Sequence, residues 1–266
     1  MVQPIGMFDS GFGGLTVARA VIDLLPNEDL VYIGDTGRYP YGNKPAAEVQ
    51  RFAHEIATSL VNDFDVKLIV VACNTAASVA LEQLKETLPV PVVSVIEPGV
   101  SALVQTTRNK RVGVIGTVGT IDSGAYEHAV GAADASVSLV SAACPGLVEF
   151  VERGQTSGAE VTLLAQRLLA PIVDAGVDSL LLGCTHYPYL ARVISDVMGP
   201  DVVLVSSGDE TAFAVKEMLE VAELQEDTSR VGEHFFYSSG DPEWFAHLGR
   251  RLFGPELSDA QSWIVK

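Results

Sequence analysis

Short apolar runs with little polar alternation recur along the chain at Ile5–Phe8, Leu30–Ile33, Leu68–Ala72, Val90–Ile96, Val112–Ile115, Val137–Val140, Leu180–Leu182 and Val202–Val205. Their β-branched character predicts strands buried on both faces. Between them, apolar positions return at helical spacing in Gly14–Leu25, Ala46–Phe64, Ala76–Leu88, Thr120–Val130, Ala159–Ala175, Tyr189–Met198 and Asp209–Ala222. These predict helices with one buried face. One more short aromatic strand and a helix around Trp244–Leu252 are expected in the region from about 230 to 266. Regular strand–helix alternation predicts an α/β fold with mostly parallel sheets.

The pattern also hints at duplication. Asp9 and Cys73 follow strands in the first part of the chain, and Thr117 and Cys184 follow strands in the second at a nearly constant offset. Two pseudo-symmetric lobes are therefore expected, each a mostly parallel sheet flanked by helices, with the active site between them. Residues 1–97 plus 207–266 would form the first lobe and residues 98–206 the second. A length of 266 residues, 48% of them hydrophobic and 19% charged, is enough for one large or two modest domains with a substantial core.

Charge narrows the choice of partner. Seventeen basic side chains face 34 acidic ones, a net charge of −17, which disfavours nucleic acid and anionic membrane as primary partners. No apolar run approaches the roughly 18 residues of a membrane span. No positive charge precedes Arg19, so a secretory leader is not expected. Three cysteines do not make a disulfide scaffold and suit a reducing cytoplasm. A small anionic metabolite remains a fitting ligand, because N–H groups at helix starts bind carboxylates without net positive charge.

Candidate chemistry sits at four strand-to-helix junctions. Asp9-Ser10-Gly11-Phe12-Gly13-Gly14 lacks the spacing of a dinucleotide-binding loop, and Ser10 there could simply cap a helix. In Cys73-Asn74-Thr75 a thiol at a helix start feels the positive end of the helix dipole, which favours thiolate. Read alone, a cysteine such as Cys73 is more often a small buried hydrophobe. Gly183-Cys184-Thr185-His186-Tyr187-Pro188 repeats the arrangement, with an imidazole two residues from the sulfur. The loop Gly34–Lys44 could cover a crevice, and its Arg38 and Lys44 are the cations expected nearest the site. Cys144, before Pro145, reads as structural. Two thiols from two similar lobes suit proton transfer on both faces of one carbon.

Asp9-Ser10-Gly11, Pro40-Tyr41-Gly42, Cys73-Asn74-Thr75 and the Gly183–Pro188 segment resemble the signature segments of the glutamate racemases, cofactor-independent enzymes of the aspartate/glutamate racemase superfamily. The matches span residues 5 to about 210 in the family's order. The resemblance implies Cys73 and Cys184 as the acid/base pair, Asp9 assisting the first, His186 assisting the second, and Glu152 near the second half-site. It implies substrate contacts from Ser10, Tyr41, Gly42, Asn74, Thr75, Thr117, Thr120 and Thr185. Glu149 is a departure, standing where many relatives carry proline. Glutamate as substrate, no cofactor, a homodimer, a cytoplasmic location and supply of D-glutamate to peptidoglycan all follow from the same resemblance.

Rival readings are an aspartate or hydantoin racemase, a Cys184/His186 acyl-transfer enzyme, and a two-lobe binding protein with merely packed cysteines. A metal on Cys73, Cys184, Asp9 and His186 is disfavoured, since no C-x-x-C or paired-His spacing appears. Pyridoxal phosphate is disfavoured because, of six lysines, only Lys44 lies at the edge of a crevice segment.

Overall fold

A computed structural model of the chain describes residues 2–227 and 229–264. Met1 and Lys266, the outer limits of the expected first lobe, lie outside the described residues. Two sheets form, and every strand pairing in them is parallel. The first contains β1 (Ile5–Asp9), β2 (Leu30–Gly34), β3 (Leu68–Val71) and β4 (Val92–Ser94), extended by β9 (His234–Ser238) and β10 (Gln261–Ser262) in the order β10-β9-β2-β1-β3-β4. The second contains β5 (Arg111–Gly116), β6 (Ser138–Ala143), β7 (Ser179–Gly183) and β8 (Val203–Ser206) in the order β6-β5-β7-β8. Both sheets place their strands second-first-third-fourth, so the duplication read from junction spacing is a duplication of topology.

Helices pack around the sheets: α1 (Leu15–Leu24), α2 (Ala46–Phe64), α3 (Asn74–Thr87), α4 (Ile96–Thr106), α5 (Val118–Asp122), α6 (Ala125–Ala133), α7 (Leu147–Glu152), α8 (Ala159–Asp174), α9 (Ala191–Met198), α10 (Ser207–Val221) and α11 (Pro242–Leu252). The inner strands β1, β3 and β7 are buried along their whole length, as their unbroken apolar runs require.

Three expectations are corrected. The run Val90–Ile96 is not all strand: β4 stops at Ser94 and α4 starts at Ile96. The Ser94 hydroxyl accepts from the Ile96 N–H at 3.2 Å and pairs with Glu97, while Pro98 sits in the first turn, where its missing N–H costs nothing. The expected helix Thr120–Val130 is two helices, because Gly124 adopts φ +70° between them. Before α9 the chain makes a single 3₁₀ turn over Tyr187–Leu190, set by Pro188.

The larger apolar cluster is not confined to the first sheet. It takes in Val114 of β5, Tyr126 of α6 and Leu181 of β7, so the two halves share packed side chains behind the crevice. A second cluster surrounds Cys144, Leu147, Leu182, Cys184 and Tyr187.

Candidate active site

The carboxyl ends of β1 and β3 face those of β5 and β7. In each sheet these neighbouring strands flank the point where strand order reverses, which is where open α/β sheets leave a ligand crevice. A pocket with an empty volume of about 560 Å³ lies there. Ser10, Tyr41, Gly42, Cys73, Asn74, Thr75, Thr117, Cys184, Thr185 and His186 all line it. Asp9, Thr120 and Glu152 do not; they stand behind the lining.

Cys73 is the N-cap of α3, with its sulfur accepting from the Ala76 N–H at 3.5 Å and its thiol directed at Ser10 Oγ at 3.7 Å. Burial pushes this thiol up to about 12, and the charge of Asp9 adds to the effect; the helix N–H groups only partly oppose them. Burial and the Asp9 charge thus oppose the thiolate that the helix start favours at Cys73. Ser10 caps nothing: the N-cap of α1 is Gly14, and no side chain serves it. Asn74 and Thr75 lie inside the first turn of α3, leaving their side chains to face the pocket.

Cys184 follows β7 with its sulfur 3.8 Å from His186 Nδ1. On the other side of the ring, His186 Nε2 lies 3.4 Å from Glu152 Oε1, close enough for charge attraction but without hydrogen-bond geometry. Burial opposes the imidazolium, yet Cys184, Glu152 and Asp9 together raise His186 to about 10. The ring is therefore charged at neutral pH. Asp9 is fully buried, accepting from the Gly11 N–H at 2.8 Å and from the Thr185 hydroxyl at 3.2 Å. Burial raises its carboxyl, while His186 pulls it back down. Asp9 thus reaches across to the Cys184 junction as well as lying beside Cys73.

At one end of the pocket the hydroxyls of Thr75 and Thr117 cluster with that of Thr120 behind them. Thr75 Oγ lies 2.9 Å from Thr117 and 3.0 Å from Thr120, and the latter two are 2.9 Å apart. The Gly119 N–H donates to the Gly42 carbonyl at 2.8 Å, and a Cβ on Gly42 would stand 2.7 Å from that of Thr117. Hydroxyl donors clustered beside a helix N-terminus are the kind of groups that can receive a carboxylate.

The loop after β2 does supply a wall, through Tyr39, Pro40, Tyr41, Gly42 and Asn43. Its cations do not. Arg38 is taken up by Asp35 at 2.8 Å and by Glu55, and Lys44 by Glu48 at 3.2 Å. The Tyr41 hydroxyl also donates to Asp35, so the ring, not the OH, is what is offered to the pocket. Cys144 lines the cavity too, its thiol bonded to the Ala142 carbonyl at 3.7 Å and raised by burial to about 12. Glu149 helps form the pocket wall from the first turn of α7, where a carboxylate suits the helix end and proline is not needed. Tyr126 and Tyr39 were not singled out from sequence. The hydroxyl of the first accepts from Asn74 Nδ2 at 2.7 Å, and the ring of the second lies 6.5 Å from His186. Neither has a local signal beyond an aromatic in an amphipathic stretch or a turn-rich loop.

Comparison with known proteins agrees with this geometry. The profile of the family described as Asp/Glu/Hydantoin racemase matches residues 15–215. A glutamate racemase of Acidothermus cellulolyticus is 52% identical over 255 residues, spanning 96% of this chain and 96% of its own. One from Corynebacterium diphtheriae is 49% identical over 260 residues, 98% of this chain and 97% of its own. Crystal structures of a glutamate racemase isoform from Bacillus anthracis and of the Francisella tularensis enzyme with D-glutamate superpose with TM-scores of 0.93 and 0.90 at 40% and 35% identity, each covering 99% of this chain and 97% of theirs. The chain belongs to the Asp/Glu/Hydantoin racemase family, among its glutamate racemases.

Proposed function

We propose that the chain interconverts L- and D-glutamate by two-base proton transfer at the α-carbon, without a cofactor. One observation carries this reading: two thiols, from equivalent junctions of two equivalent sheets, line one pocket. One sulfur removes the α-proton from one face, and the other returns a proton to the opposite face. The starting proton inventory favours Cys73 as the acid, since burial keeps its proton on at neutral pH. Cys184 is then the base, and the charged His186 beside it is placed to exchange a proton with it. The reverse direction needs the inverse inventory, so the proton count belongs to the site as a whole.

The α-carbon of an amino acid is a weak acid, and a placed base supplies only about 10²- to 10⁴-fold. The remainder falls to donors that meet the developing charge on the carboxylate. Thr75, Thr117 and Thr185, with the N–H groups at the start of α3, are assigned that task, Thr120 orienting the first two from behind, while Ser10, Tyr41, Gly42 and Asn74 fix the rest of the substrate. Asp9 and Glu152 act through Thr185 and His186. The division into lobes 1–97 plus 207–266 and 98–206 belongs to the same reading and is supported by the strand content of the two sheets.

Supply of D-glutamate to peptidoglycan, a cytoplasmic setting and a homodimer complete the proposal. No described helix is long and apolar enough to cross a membrane. The test is circular dichroism of purified, metal-free protein with L- or D-glutamate, alongside α-proton exchange in D₂O with glutamate and aspartate. Both enantiomers of glutamate should converge on the racemate. Exchange with aspartate alone would reassign the substrate, and a thioester detected by mass spectrometry would favour the acyl-transfer alternative. Sedimentation equilibrium decides the dimer.

A further inference from the structure

The pocket contains a buried acceptor with nothing bound to it. Asn74 is 3% exposed, lines the pocket, and its Oδ1 has no hydrogen-bond partner, whereas its Nδ2 donates to the Tyr126 hydroxyl at 2.7 Å. A buried amide oxygen left unpaired costs free energy unless a donor arrives. Among the groups of an amino acid, only the ammonium offers protons.

Tyr126 comes from the other half of the molecule. It sits on α6, fully buried, and a Cβ on Gly183 would stand 3.1 Å from its ring edge. Gly183 immediately precedes Cys184, and Asn74 immediately follows Cys73. One rigid side chain thus rests on one cysteine junction and bonds the other.

We propose that Tyr126 is a positioning residue for the substrate's α-ammonium: its hydroxyl accepts from Asn74 Nδ2 and so leaves Oδ1 as the free edge of the amide at the pocket. An amide free to rotate would present its NH₂ edge as readily, setting a donor against a donor. The contact is made to a group that keeps its charge throughout the reaction, so it serves both enantiomers and acts on binding more than on the chemical step. This inference rests on the proposed glutamate chemistry for the ligand's class.

The test is Tyr126→Phe, which keeps the ring against Gly183 and removes only the hydroxyl. Calorimetric dissociation constants are measured for L-glutamate and for glutarate, the same dicarboxylate without its ammonium. The glutamate constant is expected to rise about tenfold, in line with one charge-assisted hydrogen bond, and the glutarate constant to stay within about twofold. Asn74→Ala should show the same selective loss, and adding Tyr126→Phe to it should cost nothing further. In turnover, KM should rise while kcat changes by less than about threefold. Equal weakening of both ligands would show that Tyr126 only props the pocket open. Unchanged binding of glutamate would show that the hydroxyl does nothing for the substrate. Either result overturns the inference. Binding constants report on the folded fraction alone, so a less stable variant remains informative. They are also independent of turnover: a wild-type protein that fails to racemise glutamate would sink the functional reading, and the ligand comparison would still decide the role of Tyr126.

Discussion

At the scale of single residues, identity and environment make separate contributions. Cys73, Cys184, Asp9 and His186 are recognisable as reactive types at strand ends, but burial decides what each does. Cys73 and Cys184 are both almost fully buried, yet only the second has an imidazole beside its sulfur. Replacing either with serine should lower kcat by about 10²- to 10⁴-fold, measured by the approach of either enantiomer to racemate, because a hydroxyl is a far poorer base in the same place. Racemisation retained in both Cys73→Ser and Cys184→Ser would refute the two-base mechanism. His186 gives a pH signature in stability. Its folded value near 10 lies above the ordinary 6.5, so it stabilises the fold fully below about pH 6.5, and that contribution is lost as pH rises towards 10. Chemical denaturation across this range should show a steeper decline for the wild type than for His186→Asn; parallel declines would mean the ring is not held charged.

At the scale of elements, periodicity served well wherever a segment's fate depended on its own residues. The buried runs became strands, and α2 and α8 stand within a residue of their expected limits. It failed where a neighbour intervened: α4 begins through a turn built by Ser94 and Glu97, and α5 and α6 part at Gly124. Loops answer to close approach more than to pattern. Gly42→Ala would press a methyl group into Thr117 across the crevice, at a point already tied by the Gly119–Gly42 hydrogen bond. It should lower kcat/KM at least about tenfold and stability by about 1–3 kcal/mol; an unaffected enzyme would show that the two walls yield freely. A second tie lies far from the pocket. Lys67, 2% exposed in its side chain, pairs with Glu28 at 2.7 Å and Glu226 at 3.0 Å and donates to the Leu224 carbonyl at 2.7 Å. Lys67→Met would leave two carboxylates facing each other and should cost about 3–5 kcal/mol in urea denaturation, with kcat little changed.

At the scale of the whole molecule, a net charge of −17 surrounds a pocket lined by neither lysine nor arginine among the described residues. An anionic substrate must therefore approach against the field and be held by hydroxyl and N–H donors inside it. Raising ionic strength from about 20 to about 200 mM should raise kcat/KM for glutamate about two- to threefold as the repulsion is screened; a fall would reveal a steering patch of positive charge. By itself, the sequence determined the alternation of strands and helices, the twofold repetition and the four strand-to-helix junctions with candidate chemistry, because each is written in residues near one another along the chain. Only the tertiary structure decided which junctions share a pocket, that Arg38 and Lys44 turn away from it, that burial pushes the Cys73 thiol up, and that Tyr126 holds Asn74. These outcomes depend on partners far apart in sequence, 52 residues for Asn74 and Tyr126 and 176 for Asp9 and Thr185. Desolvation and hydrogen-bond geometry are sums over such partners, and no local pattern contains them.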